Sequence, residues 1–176
     1  MTRASMTSAT MTWGQWALRT LVATMPALAV LCTIGAGEAA PVWFVVLVLA
    51  LGVGFAAFPE SAVGVVVMVL VLAWWGLGLR DGLDPWALPA AAALLVAHVS
   101  ALIAAYGPPG LGLDPAVVRL WVRRGLAVSV VTPALYGVAA WLRDAPEPPG
   151  MWVIGLVAAF VATMATSFVF ARTRGT

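Results

Sequence analysis

His98 is the one histidine of the chain, and it stands in the middle of a long apolar run. An ionisable side chain inside a membrane span is costly, so it marks a candidate functional position. At a helical rise of 1.5 Å per residue, His98 lies about 18 Å along the run from Trp86, near the middle of a bilayer. Counting inward along the two later runs places Thr132 and Thr163 at a similar depth. We therefore predict an intramembrane polar cluster of His98, Thr132 and Thr163.

Two kinds of chemistry suit this cluster. An imidazole can gain or lose a proton under physiological conditions, so the cluster could respond to protons or contact a ligand. In the simpler interpretation, a neutral imidazole hydrogen-bonds to a neighbouring helix and strengthens helix association by about 0.5–2 kcal/mol. No Asp, Glu, Lys or Arg stands deep inside a run as its partner, which disfavours a proton relay. We expect the structural role, so that His98→Gln preserves folding and partner binding.

The sequence lacks the motifs that carry common catalytic or metal chemistry. It has no P-loop, no HExxH zinc motif and no GxSxG nucleophile turn, and Cys32 is its single cysteine. A nucleophile–base pair would have to use His98 in every role. We expect no enzyme activity, no cofactor and no metal site, and an intramembrane enzyme working through His98 is the least favoured interpretation.

The elements that must position these residues are membrane helices. The chain has 176 residues, of which 63% are hydrophobic and 9% charged, and its mean hydropathy is +1.04. A soluble domain is about half apolar and about a quarter charged, so this composition excludes a water-soluble globule, a disordered chain and a nucleic-acid binder. A bilayer core of about 30 Å requires about 20 apolar residues per helix. Six runs meet or approach that length: 18–36, 42–58, 61–79, 86–106, 120–142 and 151–171.

These runs predict an all-α fold, a polytopic integral membrane bundle of about six transmembrane helices with short loops. Residues 17–172 form the single membrane domain, between cytoplasmic tails at 1–16 and 173–176. Two alternatives stay open. The two short runs between 42 and 79 could form a re-entrant hairpin, and the first run could be a cleaved signal peptide, although we expect an uncleaved anchor.

Several residues mark where the helices begin and end. Asp84 and Asp114 each precede a proline, which is typical of a capping carboxylate followed by proline at the first helical position. The turn at 59–61 divides what would otherwise be one helix of about 38 residues and about 57 Å, too long for a bilayer. We therefore predict helix starts after both aspartates and a tight helical hairpin at 59–61.

The arginines set the orientation through the positive-inside rule. With six spans and a cytoplasmic N-terminus, seven arginines lie inside and two outside. Three of the inner ones, Arg119, Arg123 and Arg124, are interpreted as topology residues or as contacts to anionic lipid headgroups. The inner set is Arg3, Arg19, Arg119, Arg123, Arg124, Arg172 and Arg174, and the outer set is Arg80 and Arg143.

A stripe of alanines from 90 to 104 recurs at three- and four-residue spacing in the fourth run. Small residues let membrane helices approach closely, so the stripe predicts tight packing, either inside this chain or against a partner subunit. Pro133, inside the fifth run, predicts a kink in that helix.

These patterns favour a non-enzymatic multi-pass protein of a bacterial inner (plasma) membrane, with both termini cytoplasmic. The leading hypothesis is an accessory or scaffold subunit that packs against another membrane protein or forms a homo-oligomer in the lipid bilayer. The alternative is a small permease or channel-like protein for an uncharged or weakly polar solute, with His98, Thr132 and Pro133 near its path.

Overall fold

A computed structural model describes residues 11–78, 84–106 and 113–142, together with five single positions in the last apolar run. Within this part of the chain the structure is all-α, which confirms the predicted class. The five helices are α1 (Trp13–Gly35), α2 (Val42–Ala57), α3 (Ala62–Gly78), α4 (Ala87–Ala105) and α5 (Pro115–Leu142). The five single positions are Val153, Val157, Phe160, Val161 and Met164, each helical and exposed.

Three of these helices, α1, α4 and α5, are long and apolar enough to cross a membrane. The other two, α2 and α3, are equally apolar but have only 16 and 17 residues. At 1.5 Å per residue these shorter helices reach about 24–26 Å, a little less than a typical hydrocarbon core. The helices therefore indicate a membrane-embedded multi-pass protein. Apart from its five described positions, the sixth predicted span lies outside the described residues.

Asp114 caps its helix as the sequence predicts, whereas Asp84 stabilises a turn just ahead of α4. Asp114 Oδ1 accepts a hydrogen bond of 2.8 Å from the backbone N–H of Ala116, and Pro115 is the first residue of α5. Asp84 Oδ1 accepts one of 2.7 Å from the N–H of Trp86, but α4 begins only at Ala87 with Trp86 as its N-cap, so the prediction that Pro85 is the first helical residue is wrong. The Asp114 bond satisfies a backbone donor that α5 itself leaves free.

The turn between α2 and α3 lies at the predicted break. Helix α2 ends at Ala57, and the backbone N–H of Phe58 still bonds to the carbonyl of Gly54 at 3.0 Å. The hydroxyl of Ser61 donates to the carbonyl oxygen of Phe58 at 2.7 Å and closes the turn. The chain therefore reverses direction here within a few residues.

Helix α1 is the centre of the described bundle, and it packs mainly against α4 and α2. The backbones of α1 and α2 approach so closely that a Cβ atom on Gly52 would overlap the carbonyl of Ala23. On α4 the whole alanine stripe is buried, so it serves packing within this chain. Its members are Ala90, Ala93, Ala97, Ala101 and Ala104.

The interior of the bundle is filled by apolar side chains. Val30 of α1, Val48 of α2, and Val67 and Val71 of α3 have no exposed surface. They belong to one cluster that also includes alanines of α1 and α4. Three polar side chains, Gln15, Thr33 and Ser100, are buried as well, and the hydroxyl of Thr33 donates to the carbonyl oxygen of Val30 in its own helix at 2.7 Å.

Two tryptophans of α3 take part in this packing. The ring of Trp74 stacks on Phe44 of α2, with centroids 4.5 Å apart. The indole N–H of Trp75 donates to the carbonyl oxygen of Ala29 in α1 at 3.0 Å. Both residues therefore connect helices of the bundle.

Neighbouring helices along the chain run in opposite directions. Gly35, at the end of α1, lies against the indole of Trp86, just before α4. Gly14, at the start of α1, lies against Leu113, just before α5. The starts of α1 and α5 therefore share one end of the bundle with the α2–α3 turn, while α4 begins at the other end.

Candidate functional site

His98 lies in the middle of α4, on an exposed face beside the buried alanine stripe. The alanines pack toward α1. With 3.6 residues per turn, His98 points in a different direction from the alanines and lies on the outer surface of the described bundle. His98 is exposed, whereas Ser100, two residues further on, is buried. Ser100 therefore lies on a different face from His98.

The imidazole lines an open groove between α3, α4 and α5. The groove has a volume of about 510 Å³ and a mainly apolar lining. Helix α3 contributes one wall, α4 the floor with His98, and α5 the opposite wall with two hydroxyl groups. Residues that line it include Met68 and Leu72 of α3, Ala91, Leu95 and His98 of α4, and Ser129, Thr132 and Pro133 of α5.

The two hydroxyl groups of α5 are already committed as donors. Ser129 donates to the carbonyl oxygen of Gly125 at 2.9 Å, and Thr132 donates to that of Val128 at 3.0 Å. A hydroxyl that donates once still has lone pairs that can accept a hydrogen bond. The α5 wall therefore offers acceptors to a donor that enters the groove.

No side chain in the described ranges hydrogen-bonds to the His98 imidazole. In its neutral form this ring has one donor and one acceptor nitrogen. The groove thus combines a donor and several acceptors on an otherwise apolar surface, which is the chemistry needed to bind one polar group on an apolar molecule.

A second groove of about 490 Å³ adjoins the first. It follows α3 and α4 toward the α2–α3 turn, where Glu60 and Ser61 line its end. Met68 and His98 line both grooves. His98 therefore lies where the two grooves meet, halfway along the α3–α4 surface.

The structure brings together two members of the predicted polar cluster, His98 and Thr132, and adds Ser129 to them. Thr163, the third predicted member, lies outside the described residues. The α3 wall was not predicted, because Met68 and Leu72 carry no reactive group and resemble any other apolar residue of their run. Only the packing of the hairpin against α1 places them opposite His98.

The three arginines of the predicted headgroup site share one surface of α5. Arg119, Arg123 and Arg124 line an open depression of about 590 Å³ near the start of the helix. This depression has no lining residue in common with the two grooves at His98. The chain therefore presents two separate candidate sites. One is an apolar groove with a few uncharged polar groups, and the other is a cationic surface.

Comparison of the chain with protein-family models, curated proteins and solved structures finds no match. The function of the chain is therefore inferred from the two sites themselves. Among the residues that the structure describes, no three His, Cys, Asp or Glu side chains lie together as a metal site would require.

Proposed function

We propose that this chain is a non-enzymatic accessory or scaffold subunit of a membrane complex. In this proposal it spans the inner (plasma) membrane about six times with both termini cytoplasmic, and its α3–α4–α5 groove receives a transmembrane helix of another membrane protein. The observation that carries the proposal is the exposed His98 in that groove, beside Ser129 and Thr132.

The cost of an imidazole in lipid supports this occupant. Hydrocarbon offers no hydrogen-bond partner, so a polar side chain that faces lipid near the membrane centre is unfavourable. A helix from another protein can supply that partner through a Ser, Thr, Asn or Gln side chain while its apolar surface fills the groove. Such an occupant would satisfy His98 and cover Leu72, Leu95 and Met68 together.

The apolar core supports a scaffold over an enzyme or a central channel. Most buried side chains of α1, α2, α3 and α4 are aliphatic or aromatic, and the three buried polar ones, Gln15, Thr33 and Ser100, lie outside the apolar clusters. Water and polar solutes need polar groups along their route, because apolar cavities remain dry. The polar groups at His98 lie on the outer surface of the described helices, where a neighbouring subunit can reach them.

Site-specific photocrosslinking in native membranes tests the proposal. A benzophenone amino acid is placed at Leu95, in the groove, and separately at Val53, which is exposed on α2 and lines neither groove. We expect one discrete protein adduct from Leu95, none from Val53, and a weaker Leu95 adduct when His98→Leu is added. An adduct that contains a second copy of the chain would identify the partner as a homo-oligomer. Equal, diffuse products from both positions would contradict a specific partner.

A permease is the second candidate, and the meeting of two grooves at His98 favours it. Together these grooves extend from Glu60 to Pro133 along the outside of α3 and α4. If they carry a polar solute, water must reach Thr132. Because Cys32 is the single cysteine, Cys32→Ser supplies a cysteine-free background for Thr132→Cys. Rapid labelling of this cysteine by a membrane-impermeant maleimide supports the permease, and no labelling supports the scaffold.

A further inference from the structure

The first turns of α5 form a cationic surface on an otherwise apolar helix. Arg119 and Arg123 are four residues apart, so they lie on one face, and Arg124 borders the same depression. Ala116 and Ala127, before and after the arginines on the same helix, also line this depression with small side chains. The result is an open site that three arginines surround.

These arginines have no carboxylate partner among the described residues, where no ion pair is formed. The nearest acidic residue in the sequence, Asp114, uses an oxygen to accept a hydrogen bond from Ala116 and cap α5. The charges of Arg119, Arg123 and Arg124 are therefore available to an anion from outside the described chain.

Aromatic contacts hold one side of the site in place. The guanidinium of Arg124 lies over the ring of Trp121, with Cζ 5.3 Å from the ring centroid, within the range of a cation–π interaction. Trp121 in turn contacts Tyr106, which follows α4, with centroids 6.2 Å apart. Arg124 is therefore oriented by packing before any ligand arrives.

The length of α5 places this surface at the membrane boundary. Its 28 residues reach about 42 Å, so about 12 Å, or about eight residues, extends beyond a hydrocarbon core of about 30 Å. From Leu126 to Leu142 the helix has no charged residue, so that part fits the hydrocarbon. The surplus lies at the other end, and it brings the arginines to the level of lipid phosphates.

We propose that Arg119, Arg123 and Arg124 form a binding site for the phosphate group of an anionic glycerophospholipid. Guanidinium groups bind phosphate oxygens through paired, charge-assisted hydrogen bonds, which a lysine ammonium cannot reproduce. Leu120, in the same depression, contacts the start of the acyl chains. This site is independent of the groove at His98, so either assignment can fail without the other.

Native mass spectrometry of the full-length protein in a neutral detergent tests the site. The probes are dioleoyl-phosphatidylglycerol, dioleoyl-phosphatidylcholine and inorganic phosphate. We expect phosphatidylglycerol to bind more tightly than phosphatidylcholine, and millimolar inorganic phosphate not to displace it. The triple variant R119Q/R123Q/R124Q should weaken phosphatidylglycerol binding by about a hundredfold, since each basic residue near a lipid surface contributes about fivefold. The double variant R80Q/R143Q, which removes arginines elsewhere in the sequence, should bind like the wild type.

A second triple variant, R119K/R123K/R124K, keeps the charge and removes the paired geometry. It should bind phosphatidylglycerol several-fold more weakly than the wild type but more tightly than the glutamine variant. Because it keeps the positive charges, this lysine variant also tests the site if the glutamine variant misfolds. Wild-type affinity in the lysine variant would show attraction by charge alone and overturn a built phosphate site. Displacement by inorganic phosphate would overturn a lipid as the ligand, and equal binding of the two lipids would overturn selectivity for an anion.

Discussion

The guanidinium of Arg19, in α1, donates a hydrogen bond of 2.6 Å to the carbonyl oxygen of Ala56, at the end of α2. The same nitrogen lies 3.1 Å from the carbonyl oxygen of Ala57. These carbonyls have no partner within their own helix, and they form the negative end of its dipole. Arg19, interpreted from the sequence as a topology residue, therefore also caps a helix 37 residues away.

Replacement of Arg19 by glutamine should destabilise the protein. The variant loses hydrogen bonds from a charged group to carbonyls at a partly buried helix end, and such bonds contribute about 1.5–3 kcal/mol. Reversible unfolding in mixed micelles, followed by circular dichroism, measures the change. Arg19→Lys keeps the charge and should recover part of the loss. Wild-type stability in the glutamine variant would show that the cap contributes little.

Gly52→Ala should destabilise the crossing of α1 and α2. The added methyl group meets the backbone carbonyl of Ala23, which cannot rotate away, so the helices must separate at a cost of about 1–3 kcal/mol. Gly76→Ala is the matched control, because a Cβ atom on Gly76 has open space around it. The control should be neutral or more stable by up to about 1 kcal/mol, since alanine favours the helix. Unfolding of both variants under one set of conditions makes the comparison, and equal effects would contradict the close approach.

Trp75→Phe should cost about 1 kcal/mol, because the indole N–H that bonds to the carbonyl of Ala29 is removed while most of the aromatic packing remains. Trp13 is 87% exposed, so Trp13→Phe should change the free energy of unfolding by less than about 0.5 kcal/mol. Thermal unfolding followed by far-ultraviolet circular dichroism distinguishes the two variants. A larger loss of stability in Trp13→Phe than in Trp75→Phe would contradict a stabilising hydrogen bond between Trp75 and Ala29.

His98→Leu should separate stability from partner binding. The imidazole is exposed and makes no hydrogen bond to a described side chain, so the purified variant should unfold within about 0.5 kcal/mol of the wild type. Recovery of the crosslinked partner from Leu95 should nevertheless fall, since the partner helix loses its hydrogen bond. A large loss of stability in the purified variant would instead indicate that His98 supports the fold of the isolated chain.

Local chemistry made several features predictable from the sequence. The apolar runs indicate membrane helices because a bilayer requires long apolar segments. Three of the described helices lie inside the predicted runs, and the other two, α1 and α5, begin five residues before them. The cap at Asp114 was predictable because capping depends on residues two or three positions apart, whereas at Asp84 the helix begins two residues later than the Asp-Pro pattern predicts.

Contacts between distant segments were decided only by the tertiary structure. The alanine stripe of α4 could have faced a partner, but the structure buries it within this chain, and this leaves His98 on the outer surface. Met68 joins His98 and Thr132 because α3 folds back beside α4, and no pattern within the α3 run indicates this. Arg19 bonds to Ala56 because α2 packs back along α1, so that the end of α2 lies beside the first turns of α1. Hydropathy predicts which segments form membrane helices. In lipid, however, every apolar face of a helix is equally compatible with its surroundings, so the neighbours of each helix are decided by shape and by hydrogen bonds between helices.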